Sequence, residues 1–270
     1  MKVPFYQVDA FTSKPFRGNP AAVCLMPYGL EDETYQSIAK EMNLSETAFV
    51  EPAEERGLYR LRWFTPKREV PLCGHATLAT AHVLFRHRGV RRRRLTFETL
   101  SGILYAERVK DGVRLDFPKN DPEEVEPIGA ILRGLGVTKC VDFQYSNTNQ
   151  KLLVRLGDEE EVRRLKPRFR DLLEVEDTLG WRGVIVTAQG VGRYDFVLRY
   201  FAPWMGVDED PVTGSAHTVL APYWAKVLGK TVFRAYQASE RGGELILELS
   251  GDRVFITGGA VTVALGTLTF

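Results

Sequence analysis

"PLCGHATLATAHVLFRHRG" at 71–89 and "PVTGSAHTVLAPYWAKVLG" at 211–229 share a Pro-x-x-Gly-x-Ala opening, an apolar middle and a closing glycine. Gly74 and Gly214 stand 140 residues apart, as do Gly89 and Gly229, and "RWFTP" at 62–66 returns as "RYFAP" at 199–203, an offset of 137. Three ordered matches at nearly constant spacing indicate that one structural unit is written twice. The alternative is a single mixed sheet carrying coincidental motifs. Each long segment predicts a helix, because its apolar residues recur at helical spacing and a glycine suited to a C-cap ends it. Neither segment has a sharply polar face, so both helices are predicted to be buried on most sides. Pro222 predicts a kink near the middle of the second.

Outward from the two helices the pattern changes to strands. "RLTFETLSGILYAERVKDGVRLDF" (94–117) alternates around a Lys-Asp-Gly turn, and "TVFRAYQASERGGELILELSGDRVFITG" (231–258) has Ser-Gly-Asp in the equivalent place. Upstream, "PFYQVDAF" and "AAVCLM" read as strands followed by a helix at about 31–42. In the second half "CVDFQYS", "QKLLVRL" and a helical stretch near 158–176 play those parts. The predicted fold class is α+β, with two pseudo-symmetric lobes, 1–119 and 120–259, each with strands around one central helix. In such a pair both helix N-termini are expected to face a common cleft. Their free N–H groups and positive dipole ends suit an anion such as a carboxylate, and Gly74 and Gly214 allow close backbone approach.

The chemistry-bearing candidates lie at these corners. His75 and Ser215 both follow the glycine directly, Asp210 precedes Ser215 by five residues, and Cys73 precedes Gly74. Plain structural readings exist for each: a backbone-bonded helix N-terminal histidine, or a loop-bracing aspartate. In "MNLSETAFV" (42–50), Glu46 falls between a helix end and an apolar run, where side chains reach a sheet's rim; most glutamates are simply solvated. A carboxylate in an apolar cleft would take and return protons near neutral pH. A thiol at a helix N-terminus can act as nucleophile or base. Its counterpart in the second corner is Thr213, so a two-thiol racemase is not expected, and a single-thiol racemase using Cys73 is a lesser reading.

Bulk properties narrow the rest. The 270 residues are 44% hydrophobic and 26% charged with a net charge of +1, so no field directs the chain to nucleic acid or a membrane surface. No apolar run approaches the roughly 20 residues of a membrane span. The three cysteines, Cys24, Cys73 and Cys140, are widely separated and suggest a reduced, cytoplasmic protein. The histidines (His75, His82, His87, His217) lack metal-ligand spacing, and no dinucleotide fingerprint, phosphate loop or nucleophile elbow is present. The basic run "RHRGVRRRR" (86–94) reads as the solvated end of a helix, with no aromatic platform for nucleic acid.

"DAFTSKPFRGNPAAV", "NLSETAFV", "FTPKREVPLCGHATLATAHVLF", "EDPVTGSAH" and "SERGGEL" resemble, in order, the PhzF-like family named for the phenazine-biosynthesis isomerase. The resemblance implies a diaminopimelate-epimerase-like fold: two lobes, each a curved, mostly antiparallel sheet around a central helix, the C-terminal strand (260–270) crossing back to the first. It implies a homodimer and an isomerase that moves a proton within a small carboxylate-bearing metabolite without cofactor or metal. By this resemblance Glu46 is the acid/base, with His75, Asp210 and Ser215 as its catalytic companions. Gly74, Gly214, Asn19 and Cys73 are then the substrate-binding candidates. The wording of the motifs is nearer a broad branch of the family than the phenazine enzyme, so the substrate stays open, as does a catalytically silent metabolite-binding or regulatory protein of the same fold.

Overall fold

The computed structural model describes residues 1–55 and 57–270, which cluster into two units. The first comprises Met1–Phe117 and Phe255–Phe270. Here β1 (Lys2–Ala10) pairs antiparallel with β2 (Asn19–Leu25), and β2 runs parallel to β3 (Glu46–Pro52). A parallel pair needs a crossover, and α1 (Asp32–Met42) supplies it. β4 (Leu58–Phe64) returns antiparallel to β3, and the two-residue β5 (Glu69–Val70) folds against it. α2 (Gly74–Arg86) is the second crossover, joining β4 to the parallel β6 (Arg94–Thr99); β7 (Gly102–Val109) and β8 (Gly112–Pro118) follow as an antiparallel meander.

Helices cover both faces of this sheet. On one, Tyr35, Ile38 and Ala39 of α1 pack with Cys24, Phe49 and Phe64. On the other lies α2, against β1, β2 and β3. This explains why "NPAAVCL" is almost continuously buried, as in a strand covered on two sides. Ten of the thirteen α2 residues are buried, and its polar members turn inward by bonding backbone: Thr77 Oγ1 donates to Cys73 O at 2.5 Å and Thr80 Oγ1 to Ala76 O at 2.8 Å. The helix ends at Arg86 with His87 as its cap, earlier than the sequence predicts; Gly89 adopts the left-handed turn, φ 63°, two residues later.

The second unit, Pro118–Val254, repeats the plan. After β9 (Glu123–Glu124) and α3 (Gly129–Leu135), β10 (Asp142–Ser146) pairs antiparallel with β11 (Lys151–Arg155), which is parallel to β12 (Gly183–Gln189). That crossover carries α4 (Glu159–Arg164) and α5 (Phe169–Leu173) where one helix near 158–176 is predicted. Pro167 explains the break, because the residue before a proline is pushed out of the helical region. β13 (Phe196–Ala202) and the short β14 (Val207–Glu209) precede α6 (Gly214–Leu228), the crossover to β15 (Val232–Gln237); β16 (Gly243–Ser250) and β17 (Arg253–Gly258) follow. β18 (Ala260–Thr269), which belongs to the first unit, pairs antiparallel along the whole of β1.

The repeat extends to side chains. In "RWFTP", Arg62 grips Glu69 with two 2.7 Å bonds and lies 5.1 Å from the Phe64 ring. In "RYFAP", Arg199 grips Glu209 with two 2.7 Å bonds and lies 4.9 Å from the Phe201 ring. Such bidentate pairs fix direction as well as charge. Each anchors the segment that leads into a buried helix. Pro222 does not end α6. It removes the donor that would satisfy Thr218 O, and the N–H of Asn120 bonds that carbonyl instead at 3.0 Å, while Asn120 Nδ2 donates to Thr218 Oγ1 at 2.8 Å.

Candidate active site

In the first unit the N-terminus of α2 and the starts of β2 and β3 bring four of the predicted residues together. Cys73 is the N-cap in extended conformation, Gly74 the first helical residue and His75 the second. Because β2 and β3 are parallel, with Ala21 opposite Glu46, the starts of both strands reach the same edge, and with them Asn19 and Glu46. His75 Nε2 is 3.1 Å from Glu46 Oε2, and Nδ1 is 3.2 Å from Asn19 Nδ2 and 3.5 Å from Cys73 Sγ. So His75 is held by side chains, not by the backbone bond of the plainer reading. Ser45, which the sequence reading passed over, has its hydroxyl 3.2 Å from Asn19 Oδ1.

Burial separates the roles. His75 is 5% exposed and Cys73 7%, whereas the Glu46 side chain keeps 19% of its surface open. Glu46 is therefore the member of the group that a small molecule reaches most easily. Burial raises the Cys73 thiol above its ordinary value, and the Glu46 charge raises it further, so Cys73 is a protonated thiol near neutrality. That argues against a thiolate base at Cys73 in the single-thiol reading. For His75, burial pulls downward, but the adjoining Cys73 and Glu46 outweigh it, and the net shift is well upward.

In the second unit the equivalent corner is built from different side chains. Thr213 is the N-cap of α6, Gly214 its first residue and Ser215 its second. The hydroxyl of Thr213 donates to the Asp210 carboxylate. Gln237, fully buried, ties the loop down: its Oε1 accepts from Thr213 N at 2.8 Å, and its Nε2 donates to Asp210 O at 2.7 Å. Asn149 Nδ2 donates to Ser215 O at 3.1 Å. Asp210 thus accepts a bond from within its own corner. His217 Nδ1 donates to Thr213 O at 2.8 Å, the job Thr77 does for Cys73 O, so positions 77 and 217 of the repeat close their corners alike.

Gln237 was legible in principle, since alternation in "VFRAYQ" puts it on the inward face with Phe233 and Ala235. Lys151 was less so. It is 7% exposed, its Nζ donates to Tyr200 OH at 3.2 Å, and burial lowers it to about 8 against the pull of Asp210. A concavity of about 620 Å3 within the first unit lies instead near the C-terminal end of α2, beside His82, Arg86 and Arg108, and none of the corner residues lines it.

The two corner histidines are expected to titrate in opposite senses. Burial lowers His217 to about 4 from 6.5. Its unfolded form takes up a proton below 6.5 while the folded form does not, so stability present above 6.5 falls by about 3 kcal/mol as pH drops toward 4. His75 is raised, so its contribution is complete below 6.5 and is lost as pH climbs through its folded value. Imidazole NMR at pH 6.5 should find His75 charged and His217 neutral; the reverse pattern contradicts this electrostatic assignment.

A family model described as "Phenazine biosynthesis-like protein" matches residues 8–266. The chain belongs to that family. It is 52% identical over 268 residues to a Pseudomonas aeruginosa protein named an uncharacterized isomerase, covering 99% of each chain. It also resembles the crystal structure of a PhzF-family phenazine biosynthesis protein from Enterococcus faecalis, with a TM-score of 0.93, 44% identity and complete coverage of both chains. A hydroxyproline epimerase from Agrobacterium vitis shares the fold alone: TM-score 0.65 at 12% identity, over 99% of this chain and 92% of that one. Family members thus share the mixed α+β fold of epimerase-like proteins. Among the described residues no helix is long and apolar enough to cross a membrane.

Proposed function

We propose that the protein is an isomerase that moves a proton within a small carboxylate-bearing metabolite, with Glu46 as the acid/base. The observation that carries this reading is the Glu46–His75 pair, a partly open carboxylate set 3.1 Å from a buried imidazole. The resemblance of the whole chain to a protein named as an isomerase supports it. Proton movement within one molecule leaves its oxidation level unchanged, so the chemistry asks only for a base, an acid and a place for transient negative charge.

The Glu46 carboxylate is proposed to accept the proton from carbon. Once Glu46 is protonated, the positive charge on His75 loses its partner and faces the enolate-like charge left on the substrate. Glu46 then returns the proton to a different atom of the same skeleton. Asn19, beside Ser45, packs its amide on Nδ1; with the amide turned over its oxygen accepts the Nδ1–H of the charged ring and limits its rotation. The amide of Gly74 at the start of α2 is assigned a role in carboxylate binding, and by the family resemblance Asp210 and Ser215 are proposed to contact substrate. Incubating the protein with cyclic and amino-acid-like carboxylates, and analysing each for a new positional isomer or epimer, tests the reading. Tight binding of one compound with no product from any would favour a silent binding protein instead.

A further inference from the structure

The donor set at the α2 corner has a second chemistry, hidden from a spacing test because its ligands lie far apart in sequence. Cys73 Sγ, a His75 ring nitrogen and a Glu46 carboxylate oxygen all lie within 4.8 Å of one another. Tetrahedral Zn2+, with bonds of about 2.0–2.3 Å, separates its ligands by roughly 3.3–3.6 Å. His75 Nε2 is 3.1 Å from Glu46 Oε2 and 4.0 Å from Cys73 Sγ, so two edges of that triangle are already close to length. Glu46 Oε2 is shut off from solvent, and its 3.1 Å contact with His75 Nε2 lacks hydrogen-bond geometry, leaving a lone pair that a metal between the two could take. An outer partner is in place too. Asn19 sits on Nδ1, and turning its amide over lets its oxygen accept Nδ1–H while its NH2 donates to the Ser45 hydroxyl, which serves in either sense. Such a bond frees Nε2 for a metal.

We infer that Glu46, Cys73 and His75 bind a soft divalent cation of the Zn2+ type, leaving its fourth position to water, and that occupancy silences Glu46. On binding, the Cys73 thiol and the charged His75 ring each release a proton to solvent, from sulfur and from Nε2, as the metal–sulfur and metal–nitrogen bonds form; no oxidation state changes. Binding does not depend on the isomerase reading, whereas silencing rests on it. Co2+, which gives an intense thiolate-to-metal absorption in a cysteine site, is the probe. Titration of the folded chain should produce that band, saturating at one equivalent and displaced by Zn2+. The band should vanish in Cys73→Ser, persist when Cys24 and Cys140 are both replaced by serine, and need about 10–100-fold more metal in Asn19→Ala. Should Cys73→Ser fail to fold, Glu46→Gln, altering the most exposed ligand, should still weaken binding. Absence of a thiolate band, its survival in Cys73→Ser, or its loss with Cys24 and Cys140 would overturn the site. A band accompanied by undiminished turnover in Zn2+ would overturn the silencing, and a band with no turnover on any compound counts against the isomerase reading alone.

Discussion

Glu46→Gln lowers turnover of an accepted carboxylate by about 10²–10⁴-fold while its binding changes only a few-fold. Glutamine keeps the size and one carbonyl oxygen of glutamate, so the start of β3 and its pairing with Ala21 are undisturbed. What disappears is the basic site and, with it, the anion that sustains charge on His75. The loss therefore falls on kcat, because the missing interaction belongs to the proton-transfer step and not to capture of the ligand. Glu46→Asp draws the carboxylate back from His75 and should fall between wild type and glutamine. Calorimetry beside steady-state rates separates the outcomes: a fall confined to KM would make Glu46 a binding group.

Trp224→Ala destabilises the protein by about 3–5 kcal/mol, the range for emptying a large buried aromatic site. Trp224 is fully buried in α6 and stacks on Phe196, ring centroids 5.5 Å apart and planes 7° apart. Its Nε1 donates to Thr187 Oγ1 at 3.2 Å. Alanine removes the packing and the stacking together, and Tyr223, edge-on at 5.4 Å, loses a wall. Trp224→Phe should cost much less, since an aromatic ring remains over Phe196 and the Thr187 hydroxyl keeps its bond to Val197 O at 2.7 Å. Urea unfolding followed by circular dichroism measures both. A loss under 1 kcal/mol for alanine would mean that α6 is not the packing centre of its unit.

Features that repeat were easiest to read from sequence. The glycine corners and their apolar runs located α2 and α6, because burial on most sides leaves a helix with little polar residue to interrupt the pattern. The same repetition marked His75 and Ser215. It could not show that Thr77 and His217 share one job, since a hydroxyl and an imidazole look unrelated until both are seen on an N-cap carbonyl. Nor could it show the meeting of Asn19, Glu46, Cys73 and His75. That group depends on two parallel strands starting at one edge with α2 packed across them, a long-range arrangement with no local sequence signal. Pro167 was visible, yet the charged, helix-favouring residues before it suggested one helix where the backbone makes two.

The central claim is that Glu46 carries a proton away from a substrate carbon and returns it. Incubation in deuterated water with an accepted carboxylate, followed by proton NMR, tests this directly, because a base in contact with solvent exchanges its proton and labels the carbon. Wild-type protein should lose one carbon-bound proton signal over time, and Glu46→Gln, with the same compound bound, should lose none. Equal exchange in both proteins would contradict the account.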